Sequence, residues 1–268
     1  MSVVIISSDS GDKAREISEK TAGILKYSVL DRKVLSSIAA KYEIPVEGLH
    51  RALDEVPSIL GMSSKMQTLY LAYIEEATLA GLSEDGVVCY GLAASLYVLG
   101  VSHVFKVRIL ADPGGQVRQI ASRERGVTEE KAAKLLKRQE ALRRRWSQGA
   151  YQFDETDASL YDMVISLSQI DCDEAVRTIT ETARYPRFRP MTYSMKCLKD
   201  KELATKVRSV LIAHYPDVRV RADGTTVVVV TNALKRQKRV RAEKIKELAS
   251  GIPGVDYVEV HVSNDLLR

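Results

Sequence analysis

Hydrophobic residues along the first two thirds of the chain follow two alternating spacings. Short unbroken apolar runs rich in β-branched residues predict buried strands, and stretches with apolar residues three or four apart predict helices. The predicted strands span residues 3–7, 87–89, 104–110 and 163–167, and the predicted helices span 13–25, 32–42, 63–79, 128–146 and 173–183. Strands alternating with helices are typical of βαβ units, so we expect an α/β fold with a mostly parallel sheet.

The hydrophobic pattern changes after residue 190. In order, the predicted elements there are a helix over 202–213, a hairpin of strands 218–221 and 227–230 around Asp223-Gly224, a helix over 235–248 and a strand over 257–262. This αββαβ order describes a small α+β module. Because Pro186 and Pro190 interrupt helical periodicity just before it, we predict a linker there. The predicted domains are 1–185 and 197–268, joined by a linker over 186–196.

Composition narrows the class of protein. With 45% hydrophobic and 28% charged residues, the 268-residue chain has globular rather than disordered or fibrous composition. Its three cysteines and four histidines are scattered, which predicts neither a disulfide framework nor a metal site and favours a reducing compartment. The apolar stretch 87–101 is shorter than the ~20 residues of a membrane span, and residues 1–8 lack the basic start of a signal peptide. We expect a cytoplasmic protein without a transmembrane segment.

Positive charge is concentrated in the last third of the chain. The whole chain has 40 Lys and Arg against 35 Asp and Glu, whereas residues 191–268 have 15 against 9, which leaves 25 against 26 elsewhere. The predicted helix over 235–248 is basic around most of its circumference, and we expect its core positions to be Leu234, Val240, Ile245 and Leu248. Five of its basic residues are candidates for binding a polyanion: Lys235, Arg236, Lys238, Arg239 and Arg241. Such a face suits nucleic acid or an anionic lipid surface, but simple solvation of the helix is an open alternative.

The first strand is followed by a short loop and a helix, which is the arrangement of a phosphate-binding loop. A full P-loop uses glycines, so that backbone N–H groups converge on phosphate, and a lysine that reaches it. This loop has one glycine and no Gly-Lys-[Ser/Thr], so a plain strand-to-helix turn capped by Ser10 or Asp12 is an alternative. The candidate phosphate-binding residues are Ser10, Gly11, Asp12, Lys13, Ala14 and Arg15.

Six short motifs occur in a fixed order over residues 3–183. They are Ile6-Ser7, Gly11 and Arg15-Glu16-Ile17; Leu30-Asp31-Arg32 with Val34-Leu35; Val88-Cys89-Tyr90-Gly91; Arg123-Glu124 before a helix start at 126–132; Arg143-Arg144-Arg145-Trp146; and Tyr161-Asp162-Met163-Val164-Ile165. In this order they resemble the cytidylate kinase-like family, P-loop relatives of the nucleoside monophosphate kinases. The resemblance implies a P-loop kinase-like parallel sheet flanked by helices.

The same resemblance implies a chemistry. An active member would use ATP and Mg²⁺ to phosphorylate a CMP-like acceptor. The resemblance places Asp31 and Gly91 at the acceptor and makes Arg143 and Arg145 the catalytic arginines of a lid, although Asp31 is also a candidate helix cap and the arginines lie on a generally basic helix.

Several family positions are substituted in this chain. Glycines are usual where this chain has Lys13 and Ala14, and a side chain at Lys13 is expected to block close approach of the backbone to phosphate. The acceptor-binding arginine that usually follows the strand-ending glycine is Leu92, and two usually basic positions before the lid are Gln116 and Gln119. Because phosphoryl transfer depends on positioning and charge neutralisation, these losses favour a regulatory or scaffolding pseudo-kinase that binds nucleotide weakly over an active kinase.

Residues 200–262 resemble a BON domain, a module usual in bacterial envelope proteins. The resemblance rests on the αββαβ order, on Asp223-Gly224 before the valine run, and on Ile252-Pro253-Gly254-Val255 before the last strand, but Asn232 stands where a glycine is usual. It implies binding to a hydrophobic or lipid surface. A protein partner or self-association through this module is an equal alternative, and nucleic-acid binding is the weaker one because no Gly-x-x-Gly loop or aromatic platform accompanies it.

Overall fold

The computed structural model describes residues 2–59, 61–123 and 127–263. Its larger sheet is formed by β1 (Val3–Ser8), β2 (Ser28–Leu30), β3 (Val87–Tyr90), β4 (Val104–Leu110) and β5 (Met163–Ser166). The strands pair in parallel in the order β2-β3-β1-β4-β5. The connections between them contain the helices α1 (Gly11–Leu25), α2 (Val34–Tyr42), α3 (Val46–Asp54), α4 (Ser64–Leu82), α5 (Pro113–Arg123) and α6 (Glu129–Tyr151), and β5 is followed by α7 (Cys172–Ala183).

The central strand β1 divides the core of this sheet into two layers. Val3 and Ile5 point to the face covered by α2, α3, α4 and α6, where Trp146 is fully buried. Val4 and Ile6 point to the face covered by α1 and α7. Because side chains of a strand alternate between faces, an unbroken apolar run is what a strand covered on both faces requires. The predicted α/β fold with a parallel sheet is confirmed.

A smaller unit follows at the C-terminal end. It consists of α8 (Thr192–Leu211), β6 (Arg219–Asp223), β7 (Thr226–Asn232), α9 (Lys238–Ser250) and β8 (Tyr257–Ser263). β6 pairs antiparallel with β7, and β8 pairs parallel with β7 on the other side. The turn between β6 and β7 contains Gly224 in the left-handed region at φ +60°, as the Asp-Gly signal predicts. The predicted αββαβ module is therefore a mixed three-stranded sheet with both helices on one face.

Helix α8 belongs to both cores. Near its start, Leu198 is buried in the same cluster as α4 and β1. Farther along, Val207 and Leu211 are buried against the small sheet, in a cluster that also includes Ala72 of α4. An ion pair of 2.9 Å between Arg208 and Glu75 joins the two helices at their contact. The predicted linker residues 192–196 are thus the first turn of a packed helix.

Some predicted elements differ from the observed ones. The sequence pattern missed β2, α3 and α5, because β2 and α3 are short and α5 begins with Pro113-Gly114-Gly115, which reads as a loop. Leu234 and Val240 were expected in the core, but they are 42% and 68% exposed, whereas Ile245 is fully buried as expected. Within the described residues, no helix is long and apolar enough to cross a membrane.

Candidate functional site

A cleft of about 660 Å³ opens where β1 and β3 end. Its floor is the loop from Ser7 to Gly11, one wall contains Asp31 and Gly91, and α6 contributes Arg143 to the opposite side. The carboxyl ends of parallel strands meet at one edge of a sheet, and the crevice there is the usual ligand site of open α/β folds. The cleft is therefore the candidate functional site.

The loop presents backbone N–H groups to this cleft. The Ser8 hydroxyl accepts a hydrogen bond of 3.0 Å from the Ser10 N–H, and Ser10 caps α1 by accepting from the Lys13 N–H at 3.5 Å. The N–H groups of Gly11 and Asp12, in the first turn, have no acceptor within the helix. A Cβ added at Gly11 would meet nothing within 4 Å. The space in front of the α1 terminus is open, as an anion site there requires.

Lys13 does not point into the cleft. Its Nζ lies 3.1 Å from Glu16 Oε2 and 3.4 Å from Cys172 Sγ, on the side of α7. The hydrogen bond to Glu16 raises the pKa of Lys13, so the ammonium is held there in its charged form. Because the side chain turns toward α7, it does not block the loop in this geometry, contrary to the expectation. Arg15, on the next turn, does line the cleft.

The acceptor-side residues Asp31 and Gly91 lie together. Asp31 is 9% exposed, and it accepts hydrogen bonds from the Lys33 N–H at 2.8 Å and from the Tyr90 hydroxyl at 3.4 Å. Burial and the nearby Asp31 carboxylate raise the pKa of Tyr90 to about 12, so its hydroxyl remains a donor at neutral pH. Gly91 follows Tyr90 with φ +75°, a conformation that favours glycine.

Arg32 is a cleft residue that was not predicted as a site residue, although it belongs to the Leu30-Asp31-Arg32 motif. Its Nε donates to the Gly91 carbonyl at 2.9 Å, and its two terminal nitrogens bind Asp54 bidentately at 2.7 and 2.6 Å. Asp54 ends α3, the helix that the sequence pattern missed. The family-like Asp31-Arg32 motif was a local signal for Arg32. Asp54, which binds the Arg32 guanidinium, is 22 residues away in sequence, so the motif could not reveal the pair.

The two predicted lid arginines point in different directions. Arg143 lines the cleft, pairs with Glu155 through Nε and, at 2.6 Å, through Nη2, and donates to the Leu53 carbonyl at 2.6 Å. Its guanidinium also lies 4.0 Å from the centroid of the Trp146 ring. Arg145 lines a separate cavity beside Arg208, because residues two apart on a helix face opposite sides. The structure thus brings Arg143, but not Arg145, to the cleft.

Comparison with protein-family models identifies this part of the chain. The model described as the cytidylate kinase-like family matches residues 3–169, more than half of the chain. The chain belongs to the cytidylate kinase-like family. None of the curated proteins matches it.

Three solved structures are similar to this cytidylate kinase-like unit. An uncharacterized protein from Eubacterium ventriosum is 16% identical, with a TM-score of 0.48 over 68% of this chain and 98% of that one. Shikimate kinase from Bacteroides thetaiotaomicron is 11% identical, with a TM-score of 0.42 over 69% and 99%. Shikimate kinase from Acinetobacter baumannii, in complex with shikimate, is 13% identical, with a TM-score of 0.39 over 68% and 92%. At this level of similarity they say nothing of what this chain binds.

The other substituted family positions, Leu92, Gln116 and Gln119, do not line the cleft. Leu92 is fully buried in the core, so no side chain there faces an acceptor. Gln116 and Gln119 lie on α5, none of whose residues is buried. Of the Arg123-Glu124 motif and the helix start after it, residues 124–126 lie outside the described residues.

Four of the five candidate polyanion residues are accessible, and the fifth, Arg241, is packed against its own unit. Lys235, Arg236 and Arg239 are exposed and Lys238 is half-buried, in the turn before α9 and its first residues. Arg241 instead pairs with Asp217 and lies 4.7 Å from the Tyr215 ring centroid. Arg241 therefore holds α9 against the rest of its own unit, and four basic residues remain on the open surface.

Proposed function

We propose that the chain is a nucleotide-binding protein with weak or lost phosphotransferase activity, acting as a regulatory or scaffolding protein. The observation that carries this proposal is the pairing of two of the three arginines that line the cleft. Arg32 and Arg143 are each bound bidentately by a carboxylate of this chain. A kinase uses such positive charge to stabilise the phosphoryl group during transfer. In this chain the charge of these two arginines is neutralised by the chain's own carboxylates.

Binding of nucleotide phosphate is supported by the loop itself. The open space at Gly11 and the first N–H groups of α1 fit phosphate oxygens, and Arg15 lies at the same edge of the cleft. Weak transfer is supported by the missing clamps, since removing one electrostatic contact to a transition state costs a factor of about 10² to 10³. The paired arginines and the outward Lys13 together remove several such contacts.

The residues of the cleft fit ATP and Mg²⁺, but they offer few ligands for the metal ion. Mg²⁺ in such sites is usually held by one or two carboxylates together with substrate phosphates and waters, where it neutralises phosphate charge. Asp12, beside the loop, and Asp31, across the cleft, are the carboxylates placed to hold it. Among the described residues there is no cluster of three or more ligating side chains, so the nucleotide itself must supply most of the coordination.

A titration with a matched pair of variants tests binding. Gly11 and Gly23 both lie on α1, and an added Cβ meets nothing within 4 Å at either. Gly11→Leu fills the space in front of the loop, whereas Gly23→Leu lies at the exposed far end of the helix. We expect calorimetry to show weak ATP binding that Gly11→Leu abolishes and Gly23→Leu retains. Equal binding by both variants would place the nucleotide elsewhere.

A phosphotransfer assay with all nucleoside monophosphates as acceptors tests the second half of the proposal. We expect turnover of CMP and the other acceptors to be slow or absent. Turnover of the purified chain at the 1–10³ s⁻¹ common to enzymes would overturn the pseudo-kinase role and favour an ATP-dependent nucleoside monophosphate kinase.

For the C-terminal part we propose a BON-like domain over 197–268 that serves protein contact or self-association, with the division at 186–196 as its boundary. Support comes from the αββαβ order and from the sheet face opposite α8 and α9, where Val230 and Tyr257 are 41% and 59% exposed. The free cysteines Cys89, Cys172 and Cys197 support a reducing, cytoplasmic environment.

A further inference from the structure

We propose that Arg108 is the cation that binds nucleotide phosphate at the Ser7–Gly11 loop, in the role that the outward-turned Lys13 leaves open. The inference rests on the proposed nucleotide binding and adds a residue to that site. No motif of the sequence pointed to Arg108, which lies within the hydrophobic run of β4.

Arg108 is buried without a full set of partners. It is only 5% exposed, its Nη1 donates to the Ser7 hydroxyl at 3.0 Å, and its Nε is a buried donor without an acceptor among the described residues. The ion pairs of the described residues do not include it. A buried guanidinium that lacks a paired anion is costly, so such a group is expected where a ligand supplies the anion.

Strand register places Arg108 under the cleft. Ser7 of β1 is the partner of Arg108 of β4 in the parallel ladder, so both side chains leave the sheet on one face. This is the face of Val3, Ile5 and Val104, which α4 and α6 cover and on which Arg143 and Glu155 lie. Ser7 itself lines the cleft. Arg108 does not itself line the cleft, but its guanidinium is hydrogen-bonded to the hydroxyl of a residue that does.

The surroundings of Arg108 do not neutralise it at close range. The charge of Arg108 lowers the pKa of two nearby carboxylates, Asp9 and Asp154, but among the described residues neither forms an ion pair with it. Burial raises the pKa of Asp9 while the Ala111 N–H and Arg108 lower it, and the Asp9 carboxylate accepts the Ala111 N–H at 2.9 Å rather than a hydrogen bond from Arg108. Asp154 is instead paired with Arg144 at 3.0 Å. The ring of Tyr161, 5.7 Å from the guanidinium, completes the enclosure. Phosphate oxygens at the loop would give the guanidinium charge-assisted hydrogen bonds that the protein does not.

Arg108→Met tests this role, with Lys106→Met as a matched control on the same strand and face. Lys106 is a half-buried cation that does have a carboxylate partner, Asp162, at 3.7 Å. The probes are ATP, inorganic tripolyphosphate and adenosine, measured by calorimetry, together with the melting temperature of the unliganded protein. A charged hydrogen bond is worth about 1.5–3 kcal/mol, so its loss weakens binding about 10- to 100-fold.

We expect Arg108→Met to lower the affinity for ATP and tripolyphosphate at least tenfold, to leave adenosine binding unchanged, and to leave the melting temperature equal or higher. Arg108→Lys, which keeps the charge, should recover part of the tripolyphosphate affinity. Lys106→Met should retain phosphate binding and lose stability. An Arg108→Met protein that binds tripolyphosphate as wild type does, or that melts lower or fails to fold, would overturn the role of Arg108. A wild-type chain that binds none of the probes would overturn the proposed nucleotide binding as well.

Discussion

Single side chains of the cleft are held by partners from other elements. Arg32 is fixed by Asp54 and Arg143 by Glu155, and in each case the carboxylate fills the fork of the guanidinium. Glu155 is more deeply buried than Arg143, with 6% against 30% of the side chain exposed. A carboxylate so buried depends on its cation, because breaking a buried pair leaves an uncompensated charge. Arg143 therefore has a structural role that its neighbour Arg145 lacks.

Replacing the two predicted lid arginines separately should show this difference. We expect Arg143→Met to lower the free energy of unfolding by about 3 kcal/mol, since it strands Glu155 and removes the bond to the Leu53 carbonyl. Arg145→Met should change it by less than about 0.5 kcal/mol, as at other exposed positions. Urea denaturation measures both. Equal effects of the two substitutions would show that the Glu155 pair contributes little.

The buried His103 makes the stability of the folded chain depend on pH. It is 3% exposed, its Nδ1 lacks a partner among the described residues, and burial lowers its pKa below the usual value despite the nearby Asp85 carboxylate. The folded state therefore binds the proton less readily than the unfolded state. The folded state is therefore most stable when His103 is neutral. This stability is fully present above the unfolded pKa of about 6.5 and is lost as pH falls below it.

We expect the free energy of unfolding to fall between pH 7 and pH 5, by at most about 1.4 kcal/mol per pH unit from this one group. His103→Gln should flatten that slope, and the exposed His214→Gln should not. Urea denaturation at a series of pH values measures the slope. An unchanged slope in His103→Gln would assign the pH dependence to other groups.

At the scale of elements, the amphipathic pattern predicted the positions of helices better than it predicted which of their side chains are buried. The basic stretch before and within α9 is helical as expected, yet Val240 is on the open side and Arg241 is on the packed side, next to Tyr215. A long arginine can cover a ring with its stem and guanidinium, whereas a lone valine gains little from a position that its neighbours do not cover. Four basic residues that precede Val240, in the turn before α9 and its first residues, remain accessible: Lys235, Arg236, Lys238 and Arg239.

That group gives an element-scale prediction. If these residues bind a polyanion, the affinity of the chain for duplex DNA should fall steeply with salt. Gln substitution of Lys235, Arg236, Lys238 and Arg239 should then flatten the dependence by about 0.9 in the logarithmic slope for each lost phosphate contact. Stability should be unchanged because none of the four is buried. The matched control is Gln substitution of four basic residues exposed on α6: Lys131, Lys134, Lys137 and Arg138. Equal slopes in the two variants would leave α9 as a solvated helix, and the same comparison on anionic vesicles tests a lipid surface.

At the scale of the whole molecule, α8 decides how independent the two units are. The segment before it is accessible, since Tyr185, Arg187 and Arg189 are exposed, but Phe188 is buried with its ring centroid 4.5 Å from that of Phe105. The helix then contributes side chains to both cores and pairs with Glu75 of α4 through Arg208. A chain cut in this segment would still be held by these contacts.

Limited trypsin digestion tests this coupling. We expect cleavage after Arg187, with release of a basic C-terminal fragment only under denaturing conditions and co-elution of the two fragments in native gel filtration. Glu75→Gln together with Arg208→Met should weaken the association, whereas Arg144→Met, at an exposed ion pair on α6, should not. A C-terminal fragment that separates from the wild-type protein under native conditions would show that the two domains are independent.

The sequence by itself determined four of the five strands of the parallel sheet, the capped start of α1 and the αββαβ order of the small unit. Periodicity, caps and turns are properties of neighbouring residues, so they can be read from a short stretch of chain. Only the tertiary structure decided what the charged residues do. Asp54 reaches Arg32 across 22 residues and Ser7 reaches Arg108 across 101, while Lys13 turns to Cys172 on a helix 159 residues away. Such partners depend on which strands and helices lie side by side. For that reason no local pattern could distinguish the paired Arg32 and Arg143 of the cleft from the buried, unpaired Arg108 next to it.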